Sequence, residues 1–318
     1  MSAEDNALYR LSTTEKYHRQ DLESLGWELT VCNSLQPVNT PIRKILKKNA
    51  SYGELLYEFL DAHIPMANIA KVLEIGGGYG YLMKDLLRVC PGIRPSMLDI
   101  SPALLKKQEE ALAGHEVEYY LNDALEMDKA FYKNFELVIL NENLGDFPTL
   151  IDVDPGILDI DNVAEPDDAA RRARHFFSQY GLERPSSLFN LNIGAMRMLE
   201  TVCGAGVPYI FAGEHCCEWH MPPDIKPYFN VSASGDPRRI RLKGHDEYTI
   251  KFSYLEAIAG KLGYRVKRGP FADYIVPDLN DYVRAVLASR GLYSDSEEII
   301  CQFVGDLYEY EYLILTKQ

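Results

Sequence analysis

The stretch that most limits the fold is VLEIGGGYG, residues 72–80. An apolar run carries Glu74 near its end, glycines stand at 76, 78 and 80, and an amphipathic segment begins at Tyr81. A strand that stops on alternating glycines and resumes as a helix must turn sharply. The missing side chains let a ligand reach backbone N–H groups. An open helix N-terminus adds donors and a favourable dipole for a carboxylate or phosphate. The unit is therefore a strand, an anion-holding elbow and a helix, the repeating element of an open α/β sheet. A nicotinamide site needs G-x-G-x-x-G. Counted from Gly76 the third position is Tyr81, and from Gly78 it is Met83, so neither frame fits.

The rest of the chain keeps the same rhythm. Strands are expected at Lys71–Ile75 and at residues 97–100, 116–121, 137–140, 207–212, 264–267 and 310–315. Helices are expected at 82–89, 102–113, 193–202 and 254–262, the second opened by Ser101 as N-cap and Pro102 at the first helical position. Strands alternating with helices imply a mostly parallel sheet covered on both faces. Residues 1–70 read as a helical segment ahead of a domain spanning 71–318, with an amphipathic helix near 52–60. An insertion of about 149–190 interrupts the rhythm. Its residues 152–168 hold seven carboxylates (Asp152, Asp154, Asp159, Asp161, Glu165, Asp167 and Asp168) and no Lys or Arg. It reads either as a lid over the acceptor site or as a solvated excursion.

The pattern E-x-G-x-G-x-G at Glu74, Gly76, Gly78 and Gly80 resembles the first motif of the class I S-adenosylmethionine-dependent methyltransferases. Further positions fall in step. Asp99 ends the second strand, where a carboxylate can accept from both ribose hydroxyls. Asp123 and Ala124 follow the third, and NENLGDFP, Asn141–Pro148, ends the fourth. The resemblance implies a Rossmann-like sheet and S-adenosyl-L-methionine as cofactor. It places Glu74, Gly76, Gly78, Gly80, Asp99, Asp123, Ala124 and Asn141 around that cofactor, with Asp123 near the adenine amino group. The run N-E-x-L-x-D-x-P is also similar to that of the MidA-like methyltransferases, although Asp146 stands five residues after Asn141 rather than four. Each acid keeps a plain alternative, a strand-end carboxylate that caps a helix or meets water.

A sulfonium methyl is already activated, so the protein mainly aligns an oxygen or nitrogen acceptor, and needs a base only if the nucleophile arrives protonated. Glu142 and Asp146 are candidates beside the reactive end, and His215 in GEHCCEWH is a candidate base. The His215 and His220 spacing does not resemble H-E-x-x-H, and no metal ligand set is expected there. Aminopropyl transfer on the same fold, and a non-catalytic cofactor-binding assembly protein, remain alternatives. Lys and Arg total 33 against 47 Asp and Glu, a net charge of −14. So acidic a chain disfavours nucleic acid and suits a cationic acceptor. Six cysteines without a C-x-x-C pair, a polar start and no long apolar run read as a cytoplasmic protein with no membrane segment.

Overall fold

The computed structural model describes residues 8–21, 30–159 and 168–318. Twelve strands are described: β1 Arg10–Ser12, β2 Lys71–Ile75, β3 Arg94–Asp99, β4 Glu118–Leu121, β5 Leu137–Asn141, β6 Thr149–Val153, β7 Phe189–Leu191, β8 Tyr209–His215, β9 Arg239–Arg241, β10 Asp246–Tyr248, β11 Tyr264–Pro270 and β12 Tyr310–Lys317. The helices are α1 Val31–Ser34, α2 Pro41–Lys44, α3 Tyr52–Asp61, α4 Tyr81–Val89, α5 Pro102–Ala111, α6 Lys129–Tyr132, α7 Asp168–Tyr180, α8 Ile193–Ala205, α9 Phe252–Lys261, α10 Asp281–Ser289 and α11 Asp295–Glu309.

Seven strands form the central sheet in the order β11-β12-β8-β5-β2-β3-β4. β2 pairs in parallel with both β3 and β5, and β5 with β8, whereas β12 runs antiparallel between β8 and β11. Every residue of β5 is buried, as expected of a central strand with helices on both faces. The order of strands reverses between β2 and β5, and at such a switch point the loops leave in opposite directions and open a crevice. Local signals start the helices that flank it. Ser51 and Glu54 form a capping box at α3, and Ser101 accepts from the Leu104 N–H at the head of α5.

The described part of the N-terminal segment holds α1, α2 and α3, the last where a helix is expected near 52–60, and departs from the helical expectation in one short strand. It contributes β1, which pairs with β6, and β6 pairs in turn with β7 in a separate three-stranded sheet. The insertion departs further. Asp152 is met by Arg10, Asp159 by Arg184 and Asp168 by Arg171, so cations outside residues 152–168 offset charges that look uncompensated within that window. Asp154 caps a short turn by accepting from the Gly156 N–H, and Asp161, Glu165 and Asp167 lie outside the described residues. Helix α7 buries Phe176 and Phe177 in the main core and ends at Gly181, whose φ of +64° terminates it. The described part of the insertion is a packed element. Helices α10 and α11 were not anticipated from the sequence, and α11 packs on α2 and α10.

Candidate active site

A cavity of about 540 Å³ opens at the C-terminal ends of β2, β3, β5 and β8, a size suited to a cofactor-like molecule. The elbow after β2 forms its floor. Gly78 sits at φ +52°, and a Cβ built there would meet nothing within 4 Å, so its backbone faces open space. A Cβ on Gly76 would run into the Asn143 amide. Gly80 corrects the sequence reading. It does not line the cavity; at φ +77° it caps α4, and a Cβ would press on the Gln108 backbone at 3.2 Å. Its role is to turn the chain and let α4 and α5 approach.

On the β3–β4 side, Asp99 Oδ1 accepts from the Ser101 N–H at 2.8 Å and Oδ2 from Gln108 Nε2 at 2.7 Å. Each oxygen keeps a second lone pair, and the residue lines the cavity. Burial pushes its carboxyl up to about 6, against the pull of those two bonds. Asp123 also lines the cavity while accepting from the Leu125 N–H at 2.8 Å, so it caps a turn at the cavity wall. Ala124 is buried against the same wall. Glu74 lies beneath the elbow, with Oε2 buried and unpartnered among the described residues. Burial, and then Asp99, push its carboxyl up to about 8.

On the β5–β8 side, Asn141 accepts from the Tyr52 hydroxyl of α3, which also bonds Tyr274 at 2.8 Å. Glu142 stands at φ +53°, a strained position for a residue with a side chain. Its Oε1 accepts from the Cys32 N–H at 3.1 Å, and its Oε2 is buried without a partner among the described residues. Burial and the neighbouring Glu214 push Glu142 up to about 8. Glu214 itself is raised to about 7 by burial, and Asp306 to about 7 by burial and then Glu309. Among the described residues lining the cavity, Arg238 is the one Lys or Arg, and it lies 3.9 Å from Glu309. The acidic end therefore exceeds its local cations.

The fit to the expected cofactor can be read from these atoms. The elbow offers backbone where a side chain is missing, Asp99 offers free lone pairs, and buried oxygens of Glu74 and Glu142 await a donor. Residues 53–151 match the family model described as "Putative S-adenosyl-L-methionine-dependent methyltransferase". That stretch, from α3 through β6, is similar to the S-adenosylmethionine-dependent methyltransferases. Among solved structures, an uncharacterized protein from Burkholderia thailandensis shares 14% identity at a TM-score of 0.53, covering 96% of this chain and 87% of that one. It comes from the superfamily to which the MidA-like group corresponds. An S-adenosylmethionine-dependent methyltransferase from Mesorhizobium loti shares 14% identity at 0.46, over 83% of this chain and 98% of that one. A Haemonchus contortus phosphoethanolamine N-methyltransferase, solved with phosphomonomethylethanolamine and S-adenosylhomocysteine, shares 13% identity at 0.45, over 84% and 53%. Comparison with curated proteins finds no match.

Around this cavity the catalytic candidates separate. Glu142 and Asp146 both line the cavity. His215 lines it too, but burial, and then Arg238, push its imidazole down to about 3. A base so weakened is poorly suited to taking a proton near neutral pH, which favours Glu142 and Asp146 over it. Its neighbours Cys216 and Cys217 are free and buried. The described part of the insertion departs from the lid expectation, and residues 160–167 lie outside the described residues. Beyond Pro148, no described residue of the insertion lines the cavity, and the end beside β5 and β8 is walled by residues of the N-terminal segment such as Thr14, His18 and Cys32, by the β9–β10 hairpin and by α11. No described helix is long and apolar enough to cross a membrane. Sequence reasoning missed Tyr52, Gln108, Glu214, Asp306 and Glu309. Glu214 was within reach, since it precedes the His215 already singled out.

Proposed function

We propose that this methyltransferase transfers its methyl group to a nitrogen of a cationic acceptor, an amine or a guanidinium. The supporting observation is the buried group Glu142, Glu214 and Asp306, whose carboxyls are raised to about 8, 7 and 7 beside one cavity. Buried carboxyls in mutual repulsion hold protons until a positive guest lets them ionise. A guest that arrives charged supplies that relief and replaces missing hydrogen-bond donors, Glu142 Oε2 first among the acceptors.

The bound cofactor supplies an electrophilic methyl on sulfur. The residues' task is to present a nitrogen lone pair in line with it while the carbon–sulfur bond breaks, and to accept the proton that nitrogen sheds. Glu142 is placed for the proton. Its Oε1 is anchored by Cys32 and its Oε2 is buried without a partner among the described residues, and a carboxyl near 8, once ionised beside the cationic guest, is a better base than an ordinary one. Asp99 and the Gly76–Gly78 backbone would hold the cofactor's far end. Methyl-labelled cofactor should be offered with primary amines, arginine- and lysine-containing peptides, phenols and carboxylic acids. Label is expected on amine or guanidinium nitrogen with release of S-adenosylhomocysteine. Labelling of phenol or carboxylate alone overturns the reading.

A further inference from the structure

A second cluster lies at the rim of the cavity. His18 from the N-terminal segment, Asp146 after β5 and His245 from the β9–β10 hairpin each bring a ligand atom within 4.8 Å of the others. His18 Nε2 is 2.9 Å from Asp146 Oδ1. His245 Nε2 is 3.7 Å from the same oxygen and 3.2 Å from Glu247 Oε1. A tetrahedral zinc ion with bonds of about 2.0–2.1 Å keeps its donors about 3.3–3.4 Å apart, and the observed spacings straddle that value. Two imidazoles with carboxylates form the nitrogen–oxygen set that zinc and its neighbours accept, and two carboxylates offset a divalent charge.

The surroundings hold these groups in place. The side chains of His18 and His245 are 10% and 3% exposed. Tyr17 stacks on His245 with ring centroids 4.1 Å apart, and Thr14 Oγ1 donates to the Asp146 carbonyl at 2.9 Å. His18, Asp146 and Glu247 also line the cavity.

We propose that His18, Asp146 and His245 bind a divalent transition ion of the zinc class, with Glu247 beside it and the remaining coordination position turned toward the cavity. The three ligands come from segments far apart in the chain. An ion there ties the N-terminal segment and the hairpin to the sheet across the acceptor entrance. The competing arrangement is an ion-free hydrogen-bonded cluster in which Asp146 simply bridges the two rings.

Equilibrium dialysis of the full chain against zinc chloride, followed by elemental analysis, separates the two. His18→Gln and His245→Gln keep a polar side chain beside Asp146 but replace imidazole with a poor ligand. The wild type should hold one equivalent, with a rise in melting temperature. Each variant, shown folded by circular dichroism, should lose about tenfold or more in affinity, since even outer groups of such sites cost about that much. Cobalt substitution should give ligand-field bands without thiolate charge transfer, distinguishing this site from the free cysteines. No bound zinc in the wild type overturns the proposal. So do equal zinc affinities in wild type and both variants, or a thiolate band in the cobalt spectrum. If the variants fail to fold, the wild-type stoichiometry and the cobalt spectrum decide.

Discussion

Replacing Glu142 by glutamine should make the protein more stable at alkaline pH and leave it nearly unchanged in mild acid. The carboxyl's pKa moves from 4.5 to about 8 on folding because it is buried beside Glu214. For a carboxyl raised on folding, the stabilising contribution is complete below the unfolded value near 4.5. It falls as pH climbs and is gone above about 8. At about 1.4 kcal/mol per pH unit the upper limit on that loss is roughly 5 kcal/mol. Water entering beside an ionised carboxylate relieves part of it, so a gain of about 1–3 kcal/mol for the variant at pH 8.5 is expected. Glutamine keeps an acceptor for the Cys32 N–H, so the variant loses no anchoring bond. Urea unfolding of both proteins at pH 5.5, 7 and 8.5 measures the effect, provided the slopes agree. A stability difference that does not grow between pH 5.5 and 8.5 refutes the reasoning, because Glu142 would then not carry the strained proton equilibrium.

Gly78→Val should abolish binding of S-adenosylhomocysteine in titration calorimetry, because a β-branched residue is strained at φ +52° and its side chain would project into the open cavity. NAD should not bind wild type or variant, and binding of NAD alone would show that the elbow has been misread. Asp99→Ala should weaken the cofactor by about 1.5–3 kcal/mol, typical of a lost hydrogen bond to a charged group. An unchanged affinity would leave Asp99 as the partner of Ser101 and Gln108 and nothing more.

What could be read from the sequence was local. Strand β2 was expected at Lys71–Ile75 and lies there, and Ser101 with Pro102 opens α5 as cap chemistry requires. Both signals lie within a few residues of the element they specify. The cofactor half of the site shares this property, since the elbow, Asp99, Asp123 and Asn141 each sit at the end of a recognisable strand. The acceptor half does not. Tyr52 reaches Asn141 across 89 positions and His18 reaches Asp146 across 128, and no periodicity announces such pairings. The acidic insertion misled for the same reason. Its counter-charges Arg10 and Arg184 stand outside the window in which its charge was counted. Gln108 was nearer to hand. It lies on the face of α5 turned toward Asp99, one step beyond reading that helix as merely amphipathic.

The antiparallel strand β12 has a consequence for synthesis. Residues 310–317 fill the gap between β8 and β11, so neither of those strands completes its pairing until this late segment is available. While the chain is emerging from the ribosome, the edge of β8 presents unpaired N–H and C=O groups over seven residues, most of them otherwise buried. An open edge of that kind is a template for pairing with another chain. Slow translation of residues 310–317 would prolong the exposure. Chaperone demand in the cell should therefore respond more to what happens in the last codons of β12 than to the strength of the nucleating βα unit at residues 71–89.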